Sequence, residues 1–227
     1  MCDLKLILSP PHGKRRFLRT INKKGKLVDV GCGNNSPYYI KSRFPEVYYI
    51  GIDIGDYNQT KPNLANEYIL TTPDDFADAI AKIVMKEEWI RGGGIDTVIS
   101  SHNLEHCNNR EKTLDAMMSI IKSGGKMFLS FPSQRSINFP YRSKGILNYY
   151  QDPTHKYSPP DFDEIIKKMK ENNFNILFSS ASYKPVMHFL VGLFLEPLSR
   201  LTGRVFFNSY ATWSYWGFEA VIWAEKK

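Results

Sequence analysis

Cysteine is scarce in this chain, with three in 227 residues. Cys2, Cys32 and Cys107 are too few and too scattered for a disulfide framework. No Cys/His spacing fits a zinc site and no carboxylate cluster demands a metal, so no metal ligand is assigned. A reducing cytosol is the compartment expected. Long apolar runs are lacking as well. Leu4 to Leu8 is too short for the apolar segment of a secretory signal, and Asp3 and Lys5 break it up. The longest apolar stretch, Val186 to Leu195, contains His188 and is about half the ~20 residues that a membrane span needs. The expectation is a cytoplasmic, soluble protein, at most peripheral at a membrane surface. Repeats and low-complexity segments are also absent.

Acids are missing from one stretch. Lys14, Arg15, Arg16, Arg19, Lys23, Lys24 and Lys26 run with no carboxylate among them, within a chain of formal charge +7. With those seven set aside, the remaining bases equal the 23 acids. One reading is an amphipathic N-terminal helix with Phe17, Leu18 and Ile21 on its buried side. The other is a binding surface for an anionic partner such as a phosphorylated substrate, nucleic acid or acidic lipid.

What is present is an alternation of strands and helices from Lys26 onward, the pattern of βαβ units in a mostly parallel α/β sheet. Strands are expected at 27–30, 48–54, 67–70, 95–100, 126–131, 175–180 and 216–224. Thr72-Pro73-Asp74-Asp75 reads as a capped helix start, with the helix running to about Trp89. Further helices are expected at 111–121 and 161–171. Insertions follow the fifth and sixth strands, at 132–160 and 182–210, and one domain accommodates the whole of 1–227.

The sharpest local signal is Asp29-Val30-Gly31-Cys32-Gly33-Asn34-Asn35-Ser36-Pro37, where a buried strand turns into a helix. Glycines at 31 and 33 can take conformations barred to other residues and let a ligand touch the backbone. Asn34, Asn35 or Ser36 can cap the helix, whose free N–H groups face the ligand. Asp53, in Gly51-Ile52-Asp53-Ile54, ends the neighbouring strand at the crevice where open α/β sheets bind ligands, and its carboxylate can accept both ribose hydroxyls. A dinucleotide fingerprint wants a third glycine, and that position is Ser36. A cofactor without a pyrophosphate does not need it. Asp29 can then meet a cofactor ammonium group, or else bond the nearby backbone.

These residues resemble the class I methyltransferase family, from about Lys26 to Phe178. Val28-Asp29-Val30-Gly31-Cys32-Gly33 resembles its first motif, and Asp53 matches its ribose-binding acid. Ile95 to His106, with its Leu104-Glu105-His106 triplet, resembles the stretch at the fourth strand. Ile120-Ile121-Lys122-Ser123-Gly124-Gly125-Lys126 resembles the turn into the fifth, with Ser123 in place of a proline. The resemblance implies a Rossmann-like seven-stranded sheet with an antiparallel last strand and helices on both faces. It implies S-adenosylmethionine as cofactor, held by Asp29, Gly31, Cys32, Gly33, Asp53 and Ile54, with Ser101 or His102 near the methionine end. Thr71, Thr72 and Asp75 occupy the neighbourhood of the adenine loop. Asp152-Pro153-Thr154-His155-Lys156-Tyr157-Ser158-Pro159 is similar to a segment of sugar and polysaccharide methyltransferases.

Methyl transfer to a hydroxyl or amine gains from a base near neutral pH, and histidine is the natural one. His155, in the irregular segment after the fifth strand, is the expected catalytic base, with His106 second; His106 alternatively only holds its turn. Asp152 either orients His155 or caps the turn before Pro153. His188 reads as a core or interface residue. Tyr141, Tyr149, Tyr150 and Tyr157 either stack on an acceptor ring or simply pack. The apolar segment from Pro185 to Leu195 reads as a helix buried in the core or in a homodimer, or as a lid or lipid-touching helix. The acceptor expected is a small molecule or glycan, anionic or lipid-linked among the options. Nucleic acid is disfavoured, because no RNA-binding module and no Asn/Asp-Pro-Pro-aromatic tetrapeptide is present. A scaffold that binds cofactor without chemistry is the remaining alternative.

Overall fold

The computed structural model describes residues 9–56, 59–85 and 94–227. Its centre is a run of β-branched and other apolar residues, β1 (Lys26–Val30), whose last four residues are buried. Such a near-continuous apolar strand needs cover on both faces. β1 pairs in parallel with β2 (Tyr48–Asp53) on one side and with β4 (Ile95–Ser101) on the other. The short β3 (Glu67–Leu70) extends β2, and β5 (Ile121–Pro132) extends β4. β7 (Glu219–Lys226) lies antiparallel between β5 and β6 (Phe174–Ser180). The sheet therefore has seven strands in the order β3-β2-β1-β4-β5-β7-β6. The order reverses between β1 and β4, which opens a crevice at their carboxyl ends.

Two apolar clusters cover the sheet. One face carries Val28, Val30, Ile50, Ile52 and Val98 against α3 (Phe76–Lys82), α4 (Arg110–Ile120) and α5 (Phe162–Glu171). The other carries Leu27, Tyr49, Ile99 and Phe128 against Phe17, Leu18, Ile21 and Ile40. Each such side chain contributes about 1.5–3 kcal/mol by leaving water. The N-terminal basic segment thus buries the expected apolar face, but its helix, α1 (Lys14–Phe17), is a single turn.

Helix starts deviate from expectation in instructive ways. Asn35 precedes α2 (Ser36–Lys41) in the left-handed conformation, so its side chain does not cap the helix. It accepts instead from the N–H groups of Thr60 and Lys61. Thr72 and Asp75 do bond each other reciprocally, yet the helix begins at Phe76, three residues later than the Pro73 expected. That helix passes into a 3₁₀ turn, Ile83–Met85, and its expected continuation to Trp89 lies outside the described residues. Trp216 is not in the last strand. It ends α7 (Thr212–Trp216), because Gly217 adopts a positive φ of 72° that stops the helix and delays β7 to Glu219.

The second insertion holds α6 (Val186–Thr202), and its orientation corrects the expectation of a buried apolar helix. The residues turned inward are His188, Gly192, Glu196 and Ser199. Glu196 accepts from Arg142 Nη2 at 2.8 Å and from Trp216 Nε1 at 3.1 Å. Ser199 accepts from Arg142 Nε at 3.1 Å. Gly192 lies against the backbone of Ala211, leaving no room for a Cβ. The two insertions are therefore clasped by a buried ion pair, and the apolar side of α6 faces outward. Phe194 is 80% exposed and Leu201 86%. No described helix is long and apolar enough to cross a membrane.

Candidate active site

The glycine turn sits at the carboxyl end of β1. Gly31 and Gly33 have φ of 69° and 57°, which an L side chain rarely adopts. A Cβ on Gly31 would collide with the Asn103 side chain, whereas one on Gly33 would meet nothing within 4 Å. The backbone at Gly33 is therefore open for close approach. Asp53, nearly buried, stands opposite. Its Oδ2 accepts the Gly33 N–H at 2.7 Å and its Oδ1 the Ile54 N–H at 2.8 Å. Burial pushes its carboxyl up, and the N–H groups of Gly33, Ile54 and Gly55 partly offset this. A carboxylate has about four acceptor positions, so the backbone N–H groups leave acceptor capacity for a ligand hydroxyl. Gln59 staples the turn, giving its Nε2 to the Gly33 carbonyl and accepting the Asn35 N–H.

Asp29 is the penultimate residue of β1. It is fully buried, and its carboxylate accepts from Ser36 Oγ at 2.6 Å and Tyr49 Oη at 2.8 Å. The ammonium group at 3.3 Å is that of Lys14. Asp29 thus braces the glycine turn through Ser36, Tyr49 and Lys14. Cys32 is buried beneath the turn, and burial followed by the charges of Asp29 and Asp53 drives its thiol far up. Its N–H bonds the Ile52 carbonyl, so Cys32 shapes the turn and its thiol stays inert. Ile54 is exposed beside Asp53.

At the end of β4, Ser101 and His102 are half-buried. His102 has φ of 50° and uses both ring nitrogens, Nδ1 to Glu105 at 3.1 Å and Nε2 to Glu219 at 2.9 Å. Trp213 and Phe218 cover its ring. Burial alone would lower its pKa, but the two carboxylates outweigh this and raise it to about 10. His102 is an imidazolium brace at neutral pH and offers no lone pair as a base.

The 3₁₀ turn Leu104–His106 and the segment at 149–158 come together through Arg110. Arg110 donates to the carbonyls of Leu104 and Glu105, to that of Ser158 and to Tyr149 Oη. Lys156 N–H adds a bond to the Glu105 carbonyl. The rings of His106 and His155 consequently lie 4.9 Å apart. His155 gives Nδ1–H to the Tyr149 carbonyl at 2.7 Å and stacks on the Tyr149 ring. Burial pushes its pKa down, so it is neutral near pH 7. Asp152 caps the turn: its Oδ1 accepts the N–H and hydroxyl of Thr154, while its Oδ2 is 3.8 Å from His155 Nε2. Of the four tyrosines, Tyr149 is buried, and Tyr141, Tyr150 and Tyr157 are exposed. His188 is buried in α6, as expected. Sequence spacing gave no metal set, yet ligand-capable atoms of Glu105, His106 and His155 all lie within 4.8 Å of one another.

A reversed strand order, a bare glycine backbone and an opposed acid define a nucleoside-cofactor site on a doubly wound sheet. A profile of the methyltransferase domain family matches residues 6–178, and the chain belongs to that family. It is a class I methyltransferase whose cofactor is S-adenosylmethionine. Solved structures share the fold. A SAM-dependent methyltransferase from Archaeoglobus fulgidus is 19% identical, with 98% of this chain and 94% of that one aligned and a TM-score of 0.55. An S-adenosylmethionine-dependent methyltransferase from Mesorhizobium loti is 12% identical, with 93% and 96% aligned and a TM-score of 0.58. An uncharacterized protein of Methanocaldococcus jannaschii is 34% identical over 117 residues, covering 48% of this chain. That match spans only 29% of the relative's length.

Proposed function

We propose that this methyltransferase acts on a hydroxyl group of a small molecule or glycan, with His155 as the base and His106 beside it. The observation that carries the reading is the pairing of the His155 imidazole with that of His106, which lies on the turn that follows Asn103, whose side chain lies over Gly31. The chemistry is thereby set next to the cofactor turn. The cofactor, when bound, supplies an electrophilic methyl carbon on a good leaving group. The chain's own work is alignment and proton transfer. Asp53 and the Gly33 backbone grip the nucleoside, and the Ser101–His102 bend lines the methionine side. His155 keeps its proton on Nδ1, held by the Tyr149 carbonyl, which leaves the Nε2 lone pair to take the hydroxyl proton. Asp152 keeps the turn in place rather than orienting the ring.

The outward apolar face of α6 favours an acceptor carried on a lipid, with the chain seated at a membrane surface. Met187, Leu190, Val191, Phe194, Leu198 and Leu201 recur at helical spacing and are all exposed. The overall charge of +7 suits an acidic lipid surface. The test is incubation with methyl-labelled cofactor and fractionated cell extract. Label in glycan or lipid-linked glycan supports the reading, and label confined to RNA or protein refutes it. His155→Ala should lower transfer by about 10²–10⁴-fold if it is the base.

A further inference from the structure

We propose that Glu105, His106 and His155 form a binding site for one divalent transition-metal cation. Sequence separation hides the set, but the Arg110 staple closes it. Each residue offers one ligand atom, and the three atoms lie within 4.8 Å of one another. A cation about 2.1 Å from each would draw them in by on the order of 1 Å, within reach of side-chain rotation.

Three further features fit a metal. Glu105 is fully buried; its Oε1 is held by His102, and its Oε2 is buried without a hydrogen-bond partner. A buried carboxylate oxygen left bare calls for a partner that the chain does not supply. Both rings are also fixed with Nε2 available. Thr154 Oγ1 gives its one hydrogen to Asp152 at 2.5 Å, so it must accept from His106 Nδ1 at 3.0 Å. His155 Nδ1 donates to the Tyr149 carbonyl. Ligating histidines are oriented in this way, by an oxygen that takes the other ring proton. Finally, the His155 side chain is nearly buried while His106 is only half-buried, so an open position for water or acceptor lies on the His106 side. Two imidazoles and one carboxylate suit zinc, cobalt, iron or manganese rather than magnesium or calcium.

The inference deepens the proposed function, and its catalytic consequence rests on that reading. With a cation in place the two Nε2 lone pairs become ligands, and the acceptor hydroxyl would lose its proton to hydroxide on the metal, which becomes water, instead of to His155. The C–S bond then breaks as the O–C bond forms.

The test needs neither cofactor nor acceptor. The full chain, freed of metal with a chelator, is titrated with Co²⁺ and followed by its ligand-field absorption. One equivalent should bind, with the spectrum of imidazole ligation, and Zn²⁺ but not excess Mg²⁺ should displace it. His106→Ala and His155→Ala should each abolish the saturable site, and Thr154→Ala should weaken it by about 10–100-fold. Should these variants fold poorly, imidazole nitrogen shifts of the unaltered chain with Zn²⁺ replace them. His106 and His155 should show the large shifts of direct ligation, with His12 and His188 unmoved; His102, bonded to Glu105, is not used as a control. No saturable binding, or binding undiminished in both His106→Ala and His155→Ala, overturns the site. Methyl transfer is measured separately with the metal-free and Co²⁺-loaded chain. A chain that binds Co²⁺ and transfers no label overturns the proposed function and leaves the cation site standing.

Discussion

Replacing Asp53 by Asn probes the cofactor grip at its most constrained point. In the native turn both carboxylate oxygens accept backbone N–H groups, from Gly33 at 2.7 Å and Ile54 at 2.8 Å. An amide has one acceptor oxygen, so whichever way it turns, its NH₂ faces one of those donors. One buried N–H loses its partner, at a cost of about 1–3 kcal/mol. The ribose hydroxyls also lose charge-assisted acceptance, worth roughly another 1.5–3 kcal/mol. Part of the first cost falls on the folded chain whether or not cofactor is present, so that part lowers Tm and cancels in the affinity. The second falls on binding alone and corresponds to a rise in Kd of roughly 10–150-fold. The assay is calorimetric titration of both proteins with S-adenosylhomocysteine, beside thermal melts of the ligand-free forms. Asp78→Asn serves as control, since Asp78 lies on α3 and pairs with Lys112 on the surface. If Asp53→Asn binds within about twofold of the native chain, Asp53 does not hold the ribose and the site has been placed wrongly.

Other consequences are as direct. Arg110→Met removes the clamp between the Leu104–His106 turn and the 149–158 segment, so turnover should fall by about 10²-fold while the cofactor Kd stays within twofold; equal losses in both would show a general structural role. His102 has a raised pKa in the folded chain, about 10 against 6.5 unfolded, so folding favours its proton. Its stabilisation is therefore complete below pH 6.5 and is lost as pH rises through 10. Urea midpoints of the native chain should decline across that window, and those of His102→Gln should lack this component; parallel profiles would refute the imidazolium brace. Phe194→Glu with Leu201→Glu should abolish flotation with vesicles containing acidic phospholipid. A native chain that does not float, but whose mass in sedimentation doubles until both substitutions are made, would assign the α6 face to self-association instead.

The parts of this molecule legible in the sequence are those fixed by local chemistry. The strand at Glu67–Leu70 falls where expected, and β1, β2 and β4 lie within a residue of their expected ends. Buried strands announce themselves by composition, and the glycines at 31 and 33 by a turn that other residues rarely make. Asp53 follows from the geometry of that turn. What could not be read was decided by partners distant along the chain. Lys14 meets Asp29 across a strand boundary, and Glu219 meets His102 from 117 residues away. The partner that Asp152 prefers, Thr154, is close by, but nothing in the sequence ranks it above His155. Arg110 sits in an unremarkable helix start, and only the folded chain shows it spanning two loops.

The α6 helix shows why composition misleads when the hidden face is polar. A wheel of mostly apolar residues predicts burial on every side, since apolar surface gains from leaving water. The rule weighs each residue against solvent and ignores what lies opposite. Here Arg142 presents a buried guanidinium, and leaving it unpaired would cost about 3–5 kcal/mol. Only the Glu196–Ser199 side of α6 can answer it, so the helix turns that side inward and exposes Phe194 and Leu201. The clasp between the two insertions thus fixes which side of α6 is turned outward. Replacing Arg142 and Glu196 together by Met and Leu would remove the constraint. The lost clasp should then let α6 rotate, measurable as reduced binding of a hydrophobic dye, whereas an unchanged dye signal would show that the apolar face is set outward by something other than this ion pair.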